Sequence, residues 1–415
     1  MHSASRRSLP VLVLALLSGL LALTTGPAAA SKPTPKVPAP PAACANRETP
    51  PPPVDTSEKP APGQAAPRPL PVPEQPAGGP RMADCGIVTP DGALNPPETT
   101  AASWLVQDLD TGAVVAAKDP HARERPASLI KTLLALVVVS EMKPEQVIAP
   151  TKEDASQECT CVGITAGAPY TVDQLLHGLL MHSGNDVAHT FATALGGVDA
   201  ATRKMNALAA SIGATDTHAA TPSGLDGPGM STSAFDLSVI FNQAMQHPEF
   251  AKAVGTKEFQ FPGAGGKPPF PIYNDNKLLG HYIGFLGGKT GFTDDARHTY
   301  VGGAAQGGKR LAVVMMRAEQ RPAKVVDQAA LLLDYGFGLL KADARPVGQL
   351  TGPAQAIDPD TGQPAGSANG STNAAAAKDD PFGVTGWVLT LVVAVLIVVG
   401  FIVGHRRKQL SAPQD

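Results

Sequence analysis

Ser128 and Lys131 stand three residues apart at the head of an apolar run, 129–139. That spacing puts both on one face of a helix, so a lysine amine can lie against the hydroxyl it would deprotonate. Two more motifs follow in order, Ser183-Gly184-Asn185 and Lys289-Thr290-Gly291. A serine is a weak nucleophile at its own pKa and needs a base. Lys131 can serve if burial and a second cation, for which Lys289 is the candidate, lower its pKa. Attack on a carbonyl creates an oxyanion, and the backbone N–H groups of Ser128 and Phe292 are its natural donors. Ser183 can relay a proton to a leaving amine, and Asn185 can orient a substrate amide or Lys131. Thr290 and Thr293 offer hydroxyls to a substrate carboxylate, helped by the charge of Lys289. Arg297 is a further candidate, although a surface ion pair is the commoner fate of such a residue. Gly291 leaves room for a substrate backbone along the strand edge.

Each motif is weak alone, and the chain contains decoys. Ser140 and Lys143 repeat the first pattern, but they fall just before Pro144, where a helix should be ending. Ser128 instead follows Pro126-Ala127 at a helix start, where N–H groups are free. Ser367-Ala368-Asn369 and Ser371-Thr372-Asn373 lie in a Gly/Ser/Ala/Asn stretch with no apolar period. Only the ordered trio carries weight.

The elements that must position the trio are legible in outline. Residues 103–107 and 113–117 read as strands of a hairpin around Asp110-Thr111-Gly112. The helix over 129–139 is apolar nearly all round and belongs in the interior. Residues 172–181 predict a helix capped by Thr171, which delivers the chain into Ser183-Gly184-Asn185. Further helices are expected over 186–195 and 234–245, and strands over 285–292, 299–305 and 310–316. A Pro/Gly loop follows 257–261, Gly307-Gly308 supplies a hairpin turn, and a last helix over 322–339 has Pro322 in its first turn. Strands at both ends of the domain and helices between suggest an α+β fold around one antiparallel sheet.

The chain has 415 residues, and composition divides it. Residues 1–30 read as an export signal: Arg6 and Arg7, an apolar stretch 9–23, then Ala28-Ala29-Ala30. Residues 31–98 form a Pro-rich arm, expected to be a semi-rigid spacer outside the cytoplasm. Residues 99–341 are the catalytic domain, and 342–383 a flexible linker. Residues 384–404 are apolar, uncharged and long enough to span a bilayer, and the basic flank 405–408 opens a cytoplasmic tail, 405–415. The body would then be held at the outer face of the cell membrane by a single C-terminal span.

A net charge of −3 with no basic block outside that flank does not favour nucleic acid. Four cysteines in an exported chain allow three pairings; Cys44 with Cys85, both in the arm, is favoured. A ring between Cys159 and Cys161 would be small and strained, and no histidine is spaced to make them a zinc set. His177, His182 and His189 likewise form no metal set, so no metal is assigned, and acyl-serine chemistry needs no cofactor. Ser223-Gly224-Leu225-Asp226-Gly227-Pro228 is turn chemistry, expected to shape one wall of a cleft.

At these motifs the sequence resembles the serine-type D-Ala-D-Ala carboxypeptidases, the low-molecular-mass penicillin-binding proteins, over about 99–341. Pro126-Ala127-Ser128, Thr221-Pro222-Ser223-Gly224-Leu225, Asn274-Asp275-Asn276-Lys277-Leu278 and Gly287-Gly288-Lys289-Thr290-Gly291-Phe292-Thr293 look like family blocks. The arm and C-terminal span look like those of actinobacterial members. The resemblance implies a DD-peptidase fold, with a five-stranded antiparallel sheet flanked by helices beside a helical lobe. It implies peptidoglycan stem peptides ending in D-Ala-D-Ala as substrate, and β-lactams as covalent inhibitors. Two departures stand out: no β-rich domain follows the catalytic one, and Arg297-His298 occupy positions where many members have small residues. A class A β-lactamase would need a glutamate holding the hydrolytic water. Glu249 and Glu258, the glutamates between Asn185 and Lys289, have no asparagine four positions on. An endopeptidase cutting cross-links and a non-catalytic penicillin-binding sensor remain as alternatives.

Overall fold

The computed structural model describes residues 44–158 and 160–350. The proposed export signal, Cys159 and everything beyond residue 350, including 384–404, lie outside them. Among the described residues no helix is long and apolar enough to cross a membrane.

In chain order the strands are β1 (Ile87–Val88), β2 (Ser103–Asp108), β3 (Ala113–Lys118), β4 (Val147–Ile148), β5 (Tyr170–Thr171), β6 (Glu258–Phe261), β7 (Phe270–Tyr273), β8 (Phe285–Thr293), β9 (Arg297–Gln306), β10 (Lys309–Ala318) and β11 (Gly348–Gln349). The helices are α1 (Lys131–Glu141), α2 (Lys152–Ala155), α3 (Val172–Met181), α4 (Asn185–Ala194), α5 (Val198–Ser211), α6 (Ala234–Ala244), α7 (Pro248–Gly255) and α8 (Val325–Lys341).

The central sheet is antiparallel, in the order β1-β3-β2-β10-β9-β8, with β11 sharing the outer edge of β3. Its five long strands are those implied by the resemblance; two-residue strands from the arm and the C-terminal end raise the count to seven. Alternation along β10 sorts the core into two layers. Leu311, Val313 and Met315 face the cluster closed by Val325, Ala329, Leu332 and Leu333 of α8. Ala312, Val314 and Met316 face the larger cluster containing α1, α3 and α6. α1 is buried from Lys131 to Val138. An interior helix next to the sheet is what its unbroken apolar run requires.

Thr171 caps α3 in a reciprocal box with Gln174. The differences from expectation have local causes. Ser128 sits in a 3-10 turn, Ala127–Ile130, and α1 begins only at Lys131. α8 begins at Val325 rather than at Pro322, because Gln320 Oε1 accepts the Val325 N–H at 3.1 Å. The expected Pro/Gly loop returns as β7, which pairs with β6 despite Pro271. β6 and β7 form a two-stranded ribbon with open edges, where proline is tolerated. α5 and α7 have no counterpart in the sequence reading.

The largest correction concerns the arm. Residues 44–98 do not run free: they are strapped to the body of the fold by two buried arginines. Arg123 donates to Glu48 O (2.7 Å), Leu70 O (2.6 Å) and Pro71 O (2.9 Å), and Arg125 to Pro51 O (2.8 Å) and Glu58. Cys44 pairs with Cys85, as favoured from sequence. Cys161 is also disulfide-bonded.

Arg123 is balanced by Asp216, which accepts from its Nε at 3.1 Å and lies 2.7 Å from His121 Nδ1. Burial alone would raise the Asp216 carboxyl, but His121 and then Arg123 outweigh it and keep it below its usual range. Asp236, beside it, is pushed well above the usual range by burial and next by the charge of Asp216. One carboxylate is therefore charged and its neighbour neutral. Asp216→Asn should cost about 3–5 kcal/mol by stranding a buried cation. Asp236→Asn, which replaces an already neutral group, should cost about 1 kcal/mol. Denaturant unfolding of the two variants checks the contrast.

Candidate active site

The 3-10 turn carrying Ser128 is strained and braced from three sides. Ala127 has φ +47°, a left-handed conformation costly for a residue with a side chain. Thr299 on β9 donates to Pro126 O at 2.8 Å. A methyl group on Gly291 would lie 2.9 Å from Ser128 N and 2.4 Å from Thr299 Oγ1. A methyl group on Gly224 would lie 2.0 Å from Ala127 O. Both glycines are required by close approach to the backbone around Ser128, a reason sequence alone did not supply.

Lys131, fully buried one turn on, donates to Ser128 Oγ (2.9 Å), Asn185 Oδ1 (2.8 Å) and Ser223 O (2.5 Å). Burial is the main cause of its lowered pKa, and the charge of Lys289 adds to it, while Asp186 opposes. The Asn185 amide is committed within the protein, since its Nδ2 donates to Glu158 O at 2.8 Å. It thus orients Lys131. Asp186 accepts the N–H groups of Val162, Gly163 and Ile164 at 2.8–3.2 Å and fixes the loop above the site. Ser183 is buried between α3 and α4 with φ +62°.

Lys289 on β8 is also buried, and burial lowers its pKa to about 8 against the opposing charge of Asp275. Its Nζ donates to Thr290 O at 2.6 Å. β8 is the edge strand of the sheet and runs past Ser128. Between them lies a cleft of about 430 Å³ lined by Ser128, Ser183, Thr160, Thr290, Gly291 and Phe292, among others. A larger groove of about 940 Å³ beside the C-terminal end of α8 holds none of the motif residues. Chemistry, not volume, marks the smaller one as the site.

All five motif residues, Ser128, Lys131, Ser183, Asn185 and Lys289, converge here, with Thr290, Gly291 and Phe292. Thr293 and Arg297 are engaged elsewhere. The Thr293 hydroxyl donates to Asp226 Oδ1 (3.1 Å) and accepts the Ala296 N–H (3.0 Å). Arg297 pairs with both oxygens of Glu319 (2.9 and 3.2 Å) and lies 5.5 Å over the Phe292 ring. The ion pair anticipated as its commoner fate is the one observed. His177 stacks on Phe259 and His189 pairs with Asp154, both structural. The sequence reading missed Ser223 O as the third acceptor for Lys131. Its only signal was the turn chemistry around Gly224.

Comparison with known proteins agrees with this geometry. A family profile described as D-alanyl-D-alanine carboxypeptidase matches residues 91–320, more than half of the chain. The chain belongs to the D-alanyl-D-alanine carboxypeptidase family. It is a serine-type carboxypeptidase. It is 47% identical over 256 residues to the D-alanyl-D-alanine carboxypeptidase DacB2 of Mycobacterium tuberculosis, covering 61% of this chain and 87% of that one. It is 27% identical to DacF of Bacillus subtilis over 57% of this chain and 62% of the relative. Among solved structures, the D-alanyl-D-alanine carboxypeptidase of M. tuberculosis H37Rv matches with a TM-score of 0.61 and 46% identity, over 63% of this chain and 99% of the other. The Streptomyces K15 DD-transpeptidase matches at 0.56 and 26%, over 59% and 100%. These matches carry the DD-peptidase fold over the carboxypeptidase domain.

The Gly224 contact sets a test. Gly224→Ala places a methyl against Ala127 O at φ +87°. The carboxypeptidase variant should lose activity by about 100-fold from displacement of the Ser128 turn. Turnover measured beside the unfolding midpoint checks it.

Proposed function

We propose that this carboxypeptidase removes the terminal D-Ala of peptidoglycan stem peptides through an acyl-Ser128 intermediate, while anchored to the cell membrane by 384–404. One observation carries the catalytic reading: a wholly buried lysine amine 2.9 Å from Ser128 Oγ, with its other partners already in place. The membrane anchor and the export signal rest on sequence alone.

Neutral Lys131 takes the Ser128 proton as Oγ attacks the penultimate D-Ala carbonyl. The N–H groups of Ser128 and Phe292 receive the oxyanion. Ser183 passes a proton to the amine of the departing D-Ala, and water then cleaves the ester. Lys289 and Thr290 hold the terminal carboxylate; Thr293 and Arg297 are less suited, having partners of their own. A β-lactam carbonyl would enter the same place and acylate Ser128. The absence of an E-x-x-x-N pattern between Asn185 and Lys289 favours slow release.

Purified full chain with a pentapeptide ending in D-Ala-D-Ala should release D-Ala, and Ser128→Ala should abolish release. No release from folded, penicillin-labelled wild type would instead indicate an endopeptidase or a sensor. The pH profile adds a second check. Lys131 must be neutral, so kcat/KM falls as pH drops through its lowered pKa. Lys289 must be charged, so kcat/KM falls again as pH rises past about 8. Lys289→Ala removes a positive neighbour, so the acid limb should move to higher pH.

A further inference from the structure

Arg125 lies three residues before Ser128, is 3% exposed, and pairs with Glu58, one of three clustered acids whose charges all act on it. Its Nε and Nη2 grip both oxygens of Glu58, the latter at 2.7 Å, and its Nη1 donates to Pro51 O. Glu58, Asp226 and Asp295 each offer an oxygen within 4.8 Å of the other two. The three acids come from three different segments. Glu58 belongs to the arm. Asp226 belongs to the turn that supplies Ser223 O to Lys131 and packs Gly224 on Ala127. Asp295 follows the strand carrying Lys289-Thr290-Gly291, and its Oδ1 accepts the arm's Val54 N–H. Asp226 in turn receives the Thr293 hydroxyl from that strand.

A carboxylate trio of this kind invites a divalent cation. Here, however, both Glu58 oxygens are already committed to Arg125, which brings the positive charge itself. The cluster is better understood as a clamp. Its cation stands two residues before the strained Ala127, with only Pro126 between, and a strained residue persists only where its surroundings over-determine it. Without the arm, Arg125 would lose its bidentate partner and a carbonyl acceptor.

We propose that Arg125 and Glu58 are positioning residues for Ser128, which makes the Pro-rich arm a working part of the active site rather than a spacer. The proposal rests on Ser128 as the nucleophile. Glu58 acts only through Arg125 and its turn.

The test uses the full chain and a fluorescent penicillin, with the limiting acylation rate and the prior binding constant measured separately. Glu58→Ala should lower the limiting rate about tenfold while binding changes by about twofold or less, because a displaced nucleophile affects the chemical step. Arg125→Lys keeps the charge but not the fork, and should fall between that variant and wild type. Glu74→Ala, an exposed arm substitution outside the clamp, should acylate like wild type. Unfolding midpoints are measured alongside. Glu58→Ala and Arg125→Lys both acylating at the wild-type rate would overturn the proposal, as would losses that follow the unfolding midpoint. Failure of wild type to label, or labelling that survives Ser128→Ala, would overturn the nucleophile assignment itself.

Discussion

A lysine amine with no access to water governs the layout of this protein. Burying an ammonium is costly, and the cost falls if the group can shed its proton or find three acceptors. Lys131 is offered three, from the 3-10 turn just before α1, from the start of α4 and from the 221–228 turn. Each of those segments must therefore stop at a fixed place. α3 ends where the chain turns through Ser183, α4 starts at Asn185, and Gly224 is drawn against the backbone of Ala127. Lys289 arrives from the opposite side on β8, close enough to disfavour a charge on Lys131. The same arrangement that makes the lysine expensive to bury lowers its pKa, which suits the base role proposed for it.

A second pair of buried cations plays a structural part of the same kind. Arg123 and Arg125 shortly precede Ser128, and their partners include residues of the arm. Their donors are completed by main-chain carbonyls at Glu48, Pro51, Leu70 and Pro71. Proline-rich chain suits this use. It has few N–H groups to satisfy, it is extended in advance, and its carbonyls remain free to accept. These contacts hold the described part of the arm on the domain, and the Cys44–Cys85 bond ties two of its segments together.

Much of this was legible in the chain. The order of the three motifs, the interior character of α1, the capping of α3 by Thr171 and the β9–β10 hairpin at Gly307-Gly308 all follow from local pattern. Local pattern also has blind spots. α5 has small residues and lysine where a stronger apolar stripe would have announced it, and α7 opens on Pro248 within a short polar stretch. The arm looked like a spacer because composition records what a segment cannot form, not what distant residues need from it. Thr293 and Arg297 were reasonable carboxylate ligands by type, yet Asp226 and Glu319 had already claimed them.

Residue type and short-range spacing therefore pointed to the proposed chemistry: a hydroxyl and an amine three residues apart, a hydroxyl with an amide, and a cation on a strand. Those relations are set within a few residues by the helix and strand periods, so they survive without a fold in view. Tertiary structure alone decided which acceptors Lys131 shares, why Gly224 and Gly291 must lack side chains, and where the arm lies. Those outcomes depend on contacts between segments from about 50 to about 170 residues apart, where packing and the satisfaction of buried charge outweigh any local preference.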